Sequence, residues 1–338
     1  DTSIDSAVIE AFQAGLRGTT VTQDSDDYDS ARTLWNGSID KRPALIVRCS
    51  GTGDVVDSVN FAREHGVLIA VRGGGHNVAG NAICDGGVVI DLSEMNNVYV
   101  NPTTRRAHVG GGALLGDVDR ETQAFGLAAP FGVVSLTGVA GLTLCGGIGW
   151  LRQKYGMASD ALVSVDIVTA DGRLVTASET ENTELFWGLR GGGGNFGVVT
   201  SFEFELYPVG PMVTFCAPFY RLDENAKDIM QGWRDFMLNA PEDISSQCLF
   251  WTIPPIPEFP EELHGIPVII TAAVHCGSLE DGERLTQPLR ELGRPILDLS
   301  GPAPYSMVQT GFDPVFEKGA RRNYWKSLYV DSCSEAVI

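Results

Sequence analysis

The chain opens with a helical pattern over residues 4–16, and its apolar positions then tighten into short runs. The stretch "RPALIVRC" (42–49) reads as a buried strand. "TGDVVDSVNFAREHG" (52–66) spaces its apolar residues for a helix that Gly66 stops. "VLIAVRGGG" (67–75) is a second strand running straight into glycines. Strand, helix and strand at this spacing predict a parallel βαβ unit with its loop at the strand's carboxyl end. "GGVVIDLSEMNNVYVN" and "RRAHVGGG" continue as strands, and "LLGDVDRETQAFG" as a helix ending at Gly126. Farther on, "LVSVDIVTADGRLVTAS" predicts a hairpin turning at Asp171-Gly172, "NTELFWGLRG" a helix and "GVVTSFEFELYPV" a strand.

Composition changes near Pro208–Pro211, which marks a domain boundary: 1–208 and 209–338. Beyond it, "MVTFCAPFYRL" alternates like a half-exposed strand, and "DENAKDIMQGWRDFMLNA" is an amphipathic helix with Asp223 as its N-cap. "CLFWTI" and "VIITAAVHC" are strands, "SLEDGERLTQPLRELG" is a helix and "RNYWKSLYV" a last strand. The expected class is α+β. The first half holds a parallel βαβ subdomain followed by a mixed sheet, and the second an antiparallel sheet with helices on one face.

A length of 338 residues suits two domains, and 43% hydrophobic with 20% charged residues describes an ordinary globular chain. The net charge of −19 speaks against nucleic acid or an anionic membrane as partner. Only five basic residues are lysines, and an acidic, lysine-poor surface would suit a high-salt cytoplasm. Seven scattered cysteines without a CxxC pair predict neither a metal site nor a disulfide framework, and favour a reduced compartment. No signal peptide is visible at the start, so the expected location is cytoplasmic. The thirty residues from Thr122 to Leu151 carry no charge. Their seven glycines and Pro130 point to chain lying against a buried ligand, not to a membrane helix.

The stretch "VRGGGHNVAGN" (71–81) sets three glycines beside His76, one of five histidines. Glycine permits positive φ and close backbone approach, and histidine is a nucleophile, base or ligand near neutral pH. A tight turn beside a surface histidine is the plain alternative. "GGGGNFG" (191–197) contains GxGxxG, but a helix precedes it and a strand follows, so a Rossmann fingerprint fails on context. No GxxxxGK[ST] or GxSxG occurs. His65, His108, His264 and His275 stand apart from any acid or cysteine cluster and read as structural.

"VRGGGHNVAGN", "DLSEMN", "GLAAPFG", "TGVAGLTLCGGIGWLRQKYG", "DALVSVDIVTADGRLV", "ELFWGLRGGGGNFGVVTSFEFEL" and "YWKS" follow in this order. Together they closely resemble the berberine-bridge-enzyme-like group of the vanillyl-alcohol-oxidase flavoprotein family, across residues 20–330. The resemblance implies a PCMH-type FAD-binding domain followed by a substrate domain. In such a domain the loop Arg72, Gly73, Gly74, Gly75, His76 and Asn77 wraps the FAD pyrophosphate through backbone N–H groups, an anion nest needing no side chains. It also implies a covalent bond from His76 to the flavin 8α-methyl. Val134, Ser135, Thr137 and Gly138 of "VVSLTGVAG", with Gly141, Gly147, Gly149 and Val199, are the other implied cofactor positions.

Val134 stands where many relatives carry a cysteine bonded to flavin C6, so no cysteinyl link is expected. Cys145 reads as a packed small hydrophobe. Relatives also continue through a Y-x-N-type segment, whereas this chain stops at "YVDSCSEAVI"; the substrate domain is expected to be truncated at its C-terminal end. The implied reaction is oxidation of an alcohol or amine carbon of a small-molecule substrate, a sugar or other hydroxylated compound being favoured. Hydride passes to the flavin, and dioxygen leaves as hydrogen peroxide. A dehydrogenase with another acceptor and a non-catalytic FAD-binding protein are the alternatives. Tyr324 and Tyr329 are candidate bases on opposite faces of the last strand, with sheet packing as their plain alternative. Trp251, Trp325 and Tyr324 are candidates for an apolar substrate platform.

Overall fold

The computed structural model describes residues 5–335 and 337–338; Ile4, the first residue of the expected opening helix, lies outside them. That helix spans Ser6–Gln13, capped by the Asp5 carboxylate on the Ala7 N–H at 2.9 Å. The chain packs as two units. The first runs to Gly149, resumes over Met157–Pro208 and again over Gln309–Trp325. The second comprises Trp150–Gly156, Val209–Val308 and the chain from Lys326 onward. A composition break near 208 signals one crossing only. The crossings at 150 and 309 rest on contacts between residues far apart in sequence, which leave no local mark.

Within the first unit, a four-stranded sheet runs in the order Thr19–Thr22, Leu45–Arg48, Val88–Asp91, Ile69–Arg72. The last three are parallel and the first is antiparallel. The βαβ unit is present, with Val88–Asp91 inserted between its two strands. All four residues of that inserted strand are buried, which is why it reads as an unbroken apolar run. Helix Thr52–Glu64 lays Val55, Val59, Phe61 and Ala62 over Leu45, Val47, Val88 and Ile90. It ends at Gly66, whose φ of +64° is left-handed.

A second sheet of five strands runs Val98–Asn101, Arg106–Gly110, Val198–Glu205, Leu162–Val168, Leu174–Ser178. Every pairing in it is antiparallel, whereas a mixed sheet is what the sequence suggested. The parallel pairing is confined to the strands joined through the crossover helix. The hairpin at Asp171-Gly172 forms as expected, with Gly172 at φ +79°. No helix follows Gly197: residues 193–196 make one 3₁₀ turn and Val198 begins a strand. Between Val199 and Ser201 the register shifts, and the displaced Thr200 carbonyl accepts from Gly111 N–H at 3.0 Å. Such bulges re-aim the backbone next to sites.

The uncharged stretch 122–151 breaks into the short strand Leu127–Ala128 and the helix Val139–Leu144. Among the described residues no helix is long and apolar enough to cross a membrane.

The second unit is an antiparallel sheet centred on Pro267–His275. Ile244–Thr252 pairs with one edge of that strand, and Met212–Cys216 with Pro218–Arg221 pairs with the other. Trp233 and Phe236 of helix Ala226–Met237, with Leu285 and Leu289 of helix Leu279–Arg290, pack on Cys216, Ile244 and Ala273. Asn225, not Asp223, occupies the N-cap position of the first helix. Asp223, two residues earlier, instead accepts from the Asn225 N–H at 2.9 Å. The strand expected over "RNYWKSLYV" is absent: Arg321, just before it, forms a bridge to Asn36, and residues 322–330 carry no regular structure. Its apolar and aromatic residues gave the strand signal, but no sheet edge pairs with them.

The return segment is tied to the first unit by a buried polar network. Ser135 N–H donates to the Gln309 carbonyl at 3.1 Å, and Ser135 Oγ donates to Asp313. Gln309 Nε2 donates to Asp119 Oδ2 at 3.1 Å, while Asp119 Oδ1, Gln309 Oε1 and Asp313 Oδ1 are buried without a partner among the described residues. Burial pushes the Asp119 carboxyl up to about 7, against a lowering by the Gln309 amide. A raised carboxyl pKa means the folded state binds more protons, so stability falls as pH rises from about 4 to about 7. Asp119→Asn removes that slope. The expected gain over wild type is small at pH 5 and grows to a few kcal/mol (order of magnitude) at pH 8. Parallel urea titrations at the two pH values measure it; equal gains at both would refute the assignment.

Candidate functional site

The glycine loop leaves the sheet at Arg72, and the side chain of Arg72 turns back into the fold. Its Nη2 donates to Asp91 Oδ2 at 2.6 Å, and Nη1 donates to the Ala31 carbonyl. Asp91 is its register partner on the next strand, and both side chains are almost fully buried. Breaking such a pair strands a buried charge, at a cost of about 3–5 kcal/mol. The Arg72 guanidinium is thus spent on anchoring the base of the loop.

The glycines that follow have individual reasons. A Cβ on Gly74 would stand 2.4 Å from the Gly138 nitrogen, and one on Gly138 would stand 2.4 Å from the Gly74 nitrogen. The two backbones touch face to face. A Cβ on Gly73 would meet the Gly111 carbonyl at 3.0 Å, and one on Gly111 the Val199 carbonyl at 2.4 Å. Gly75 takes a left-handed φ of +71°. Beneath the loop, Leu115 N–H donates to Thr137 O, Gly116 N–H to Ser135 O and Val139 N–H to Ala113 O, each at 2.9 Å. Segments 73–77, 111–116, 134–139 and 199–200 thus form one floor lined by main chain. Gly73, Gly74, Gly75, Val134, Ser135, Thr137, Gly138 and Val199 all belong to it.

The remaining glycines differ. Gly141 is exposed, and the space a Cβ would occupy is open. Gly147 and Gly149 are glycine for internal reasons. A Cβ on Gly147 would stand 2.6 Å from Leu142, and one on Gly149 would overlap the Phe131 carbonyl at 1.4 Å. Asn77 turns its Oδ1 to Asn81 N–H at 3.0 Å, holding its own turn. Cys145 is exposed at the end of helix Val139–Leu144, not packed as expected, because that short helix stops before its side chain is covered.

His76 stands at the head of the loop. Burial alone holds its imidazole down at about 4, so the ring is neutral, with a free lone pair, at neutral pH. Trp35 stacks on it with ring centroids 5.1 Å apart and planes 14° apart. Phe316 stacks near-parallel with Trp35 at 5.7 Å, and Trp325 meets Trp35 edge-on at 5.3 Å. The next residue ties the same segments together. Asn36 Nδ2 donates to Val78 O at 2.8 Å and Asn323 O at 2.9 Å, and Asn36 Oδ1 accepts from Asn323 N–H at 2.9 Å. Trp35, Asn36 and Phe316 carry no motif, and the pairings join residues 287 apart in sequence. Only the three-dimensional structure brings them to His76.

Across Gly73–Asn77, five successive backbone N–H groups donate to no acceptor among the described residues. Unpaired N–H groups running through a left-handed glycine form a nest for an anion. A phosphate-bearing cofactor fits these donors, and the missing Cβ atoms let the loop lie flat.

The two candidate bases stand on exposed chain. Tyr324 is 81% and Tyr329 96% exposed, both on irregular chain rather than on opposite faces of a strand. Solvent competes for any proton that such a hydroxyl handles. Trp251 packs edge-on against Phe259 at 5.7 Å within the second unit, and Trp325 packs on Trp35 within the first.

Comparison with known proteins supports the flavin reading. Residues 43–178 match the FAD binding domain family. The chain is 36% identical over 330 residues to (R)-6-hydroxynicotine oxidase of Paenarthrobacter nicotinovorans, covering 95% of this chain and 68% of that protein. The crystal structure of 6-hydroxy-D-nicotine oxidase from Arthrobacter nicotinovorans superposes with a TM-score of 0.80 at 35% identity, covering 90% of this chain and 66% of that one. Glucooligosaccharide oxidase from Acremonium strictum, described with a 6-S-cysteinyl, 8α-N1-histidyl FAD, gives 0.78 at 26% identity, covering 90% and 62%. The chain therefore spans about two thirds of the length of these relatives. With the FAD-domain match, the shared fold and this identity across most of its length, the chain belongs to the berberine-bridge-enzyme-like FAD-linked oxidases of the vanillyl-alcohol-oxidase (PCMH-type) flavoprotein family.

Proposed function

We propose that this chain is the FAD-holding part of an oxidase that removes hydride from an alcohol carbon of a small hydroxylated molecule, with dioxygen taking the electrons as hydrogen peroxide. The observation that carries this reading is the run of unpaired N–H groups from Gly73 to Asn77 ending beside a neutral His76. The names of two relatives, a hydroxynicotine oxidase and a glucooligosaccharide oxidase, support a hydroxylated substrate.

Bound FAD supplies the electron sink, and the protein's residues hold and orient it. Gly73, Gly74 and Gly75 offer N–H groups to the pyrophosphate. Arg72 and Asp91 keep the loop base in place. His76 holds the flavin covalently, and Val134, lacking a nucleophile, leaves that bond single. Thr137 is half-buried, and its backbone is pinned to Leu115 and Val134 within the floor. We assign it to the route by which dioxygen reaches the flavin.

The test of function is a panel of sugars, alcohols and hydroxylated heterocycles mixed anaerobically with the flavin-loaded protein. Bleaching of the flavin by any of them, with peroxide formed in air, supports an oxidase. Bleaching without peroxide indicates another acceptor, and no bleaching by any compound indicates a binding protein.

For the covalent bond, acid-precipitated protein is expected to stay yellow, and the peptide containing His76 to carry the mass of FAD. His76→Ala is expected to release all its flavin on precipitation. Complete release from wild type would disprove the bond while leaving non-covalent binding intact.

Thr137→Ile adds a methylene and removes a hydroxyl. It is expected to slow flavin reoxidation while leaving reduction nearly unchanged. Stopped-flow measurement of the two half-reactions separates these effects, and equal reoxidation rates would remove Thr137 from the oxygen route.

A further inference from the structure

We propose that Trp35 is the positioning residue for flavin attachment at His76, its indole fixing the plane of the imidazole while Phe316 stacks on the indole and holds it. This rests on the covalent role proposed for His76. The nucleophilic lone pair of an imidazole lies in the ring plane, so whatever sets the plane sets the direction of attack. A histidine χ2 torsion is broad and roughly two-fold, and His76 follows three glycines that do little to restrain it. The nearly parallel indole, at 14°, stacks on a ring face rather than on the ring edge that carries the lone pair.

The indole is itself immobilised. Trp35 is buried, its backbone N–H donates to the Gly75 carbonyl at 3.3 Å, and its own carbonyl accepts from Gly319 N–H at 3.0 Å. Phe316 lies 12° from its plane, and Asn36 sews the adjoining backbone to Val78 and Asn323. The clamp therefore takes one ring from each of three distant segments: residue 35, residue 76 and residue 316. Trp35 touches neither cofactor nor substrate in this role. It acts through His76.

The step it serves is balanced as follows. His76 loses its N–H proton and forms a C–N bond to the 8α carbon, which loses one hydrogen. The two electrons released enter the bound ring system and leave with two protons to dioxygen, giving hydrogen peroxide. Near-attack alignment of reacting atoms governs such steps, and a displacement of about 1 Å can cost about a hundredfold in rate.

The experiment uses protein purified flavin-free from riboflavin-starved cells, to which FAD is added. The dissociation constant for FAD is read first, and then the first-order rise of acid-stable flavin. Trp35→Leu is expected to slow attachment at least ~10-fold with FAD affinity little changed, and Trp35→Phe, which keeps a stacking ring, to recover most of the rate. A merely structural role would move affinity and rate together and would not be rescued by a ring. If Trp35→Leu binds no FAD, Phe316→Leu decides, since it keeps the indole and removes the ring that holds it. Slower attachment at unaltered affinity supports the proposal, and the wild-type rate overturns it. Wild-type attachment by Trp35→Leu overturns the role of Trp35 alone. Absence of acid-stable flavin in wild type overturns the covalent role of His76 and this proposal with it.

Discussion

The face-to-face contact between the backbones of Gly74 and Gly138 is the constraint on which the site depends. Neither residue can carry a Cβ without meeting the other's nitrogen at 2.4 Å. The contact brings the loop from the parallel sheet onto the segment before helix Val139–Leu144, and the N–H groups of Gly73–Asn77 have no acceptor among the described residues. Unpaired backbone donors are costly when buried, so a loop built this way is stable only where water or a ligand accepts from it. An anionic ligand meets that requirement.

The electrostatic setting makes main-chain donors the natural choice. A chain of net charge −19 with five lysines repels an anion at long range. The nearest arginine in sequence, Arg72, is already neutralised by Asp91 at 2.6 Å. Neutral N–H dipoles attract a pyrophosphate at contact without adding a charge that the acidic surroundings would pair first. His76 follows the same logic: burial holds it neutral, so it contributes a lone pair rather than a cation.

A second organising feature is the return of residues 309–325 to the first unit. Asp119, Gln309, Ser135 and Asp313 hold one end of that segment, and Asn36 with Asn323 holds the other. Between them, Phe316 reaches the Trp35 ring that lies on His76. The polar network at the first end leaves three buried oxygens without a partner among the described residues, so it is held against a desolvation cost that specific geometry must offset. The site is thus assembled by segments that packing, not chain proximity, brings together.

Local pattern determined much of this protein. Period and punctuation predicted helix Thr52–Glu64, the strands on either side of it and the hairpin at Asp171-Gly172, because side-chain burial and turn geometry act over a few residues. The motif order carried the FAD-binding family, and the glycine-histidine loop was legible as a place of close backbone approach. The tertiary structure alone decided the rest. It turned Arg72 inward, gave Gly147 and Gly149 packing roles, exposed Cys145, and left the expected final strand unpaired. It also placed Trp35 and Phe316, 281 residues apart by their numbering, in one stack with His76. The reason is the range of the forces that decide each feature. Backbone preference and periodicity are written within a few residues, whereas a side chain's partner is settled by which distant surfaces close over it, and no neighbouring residue records that.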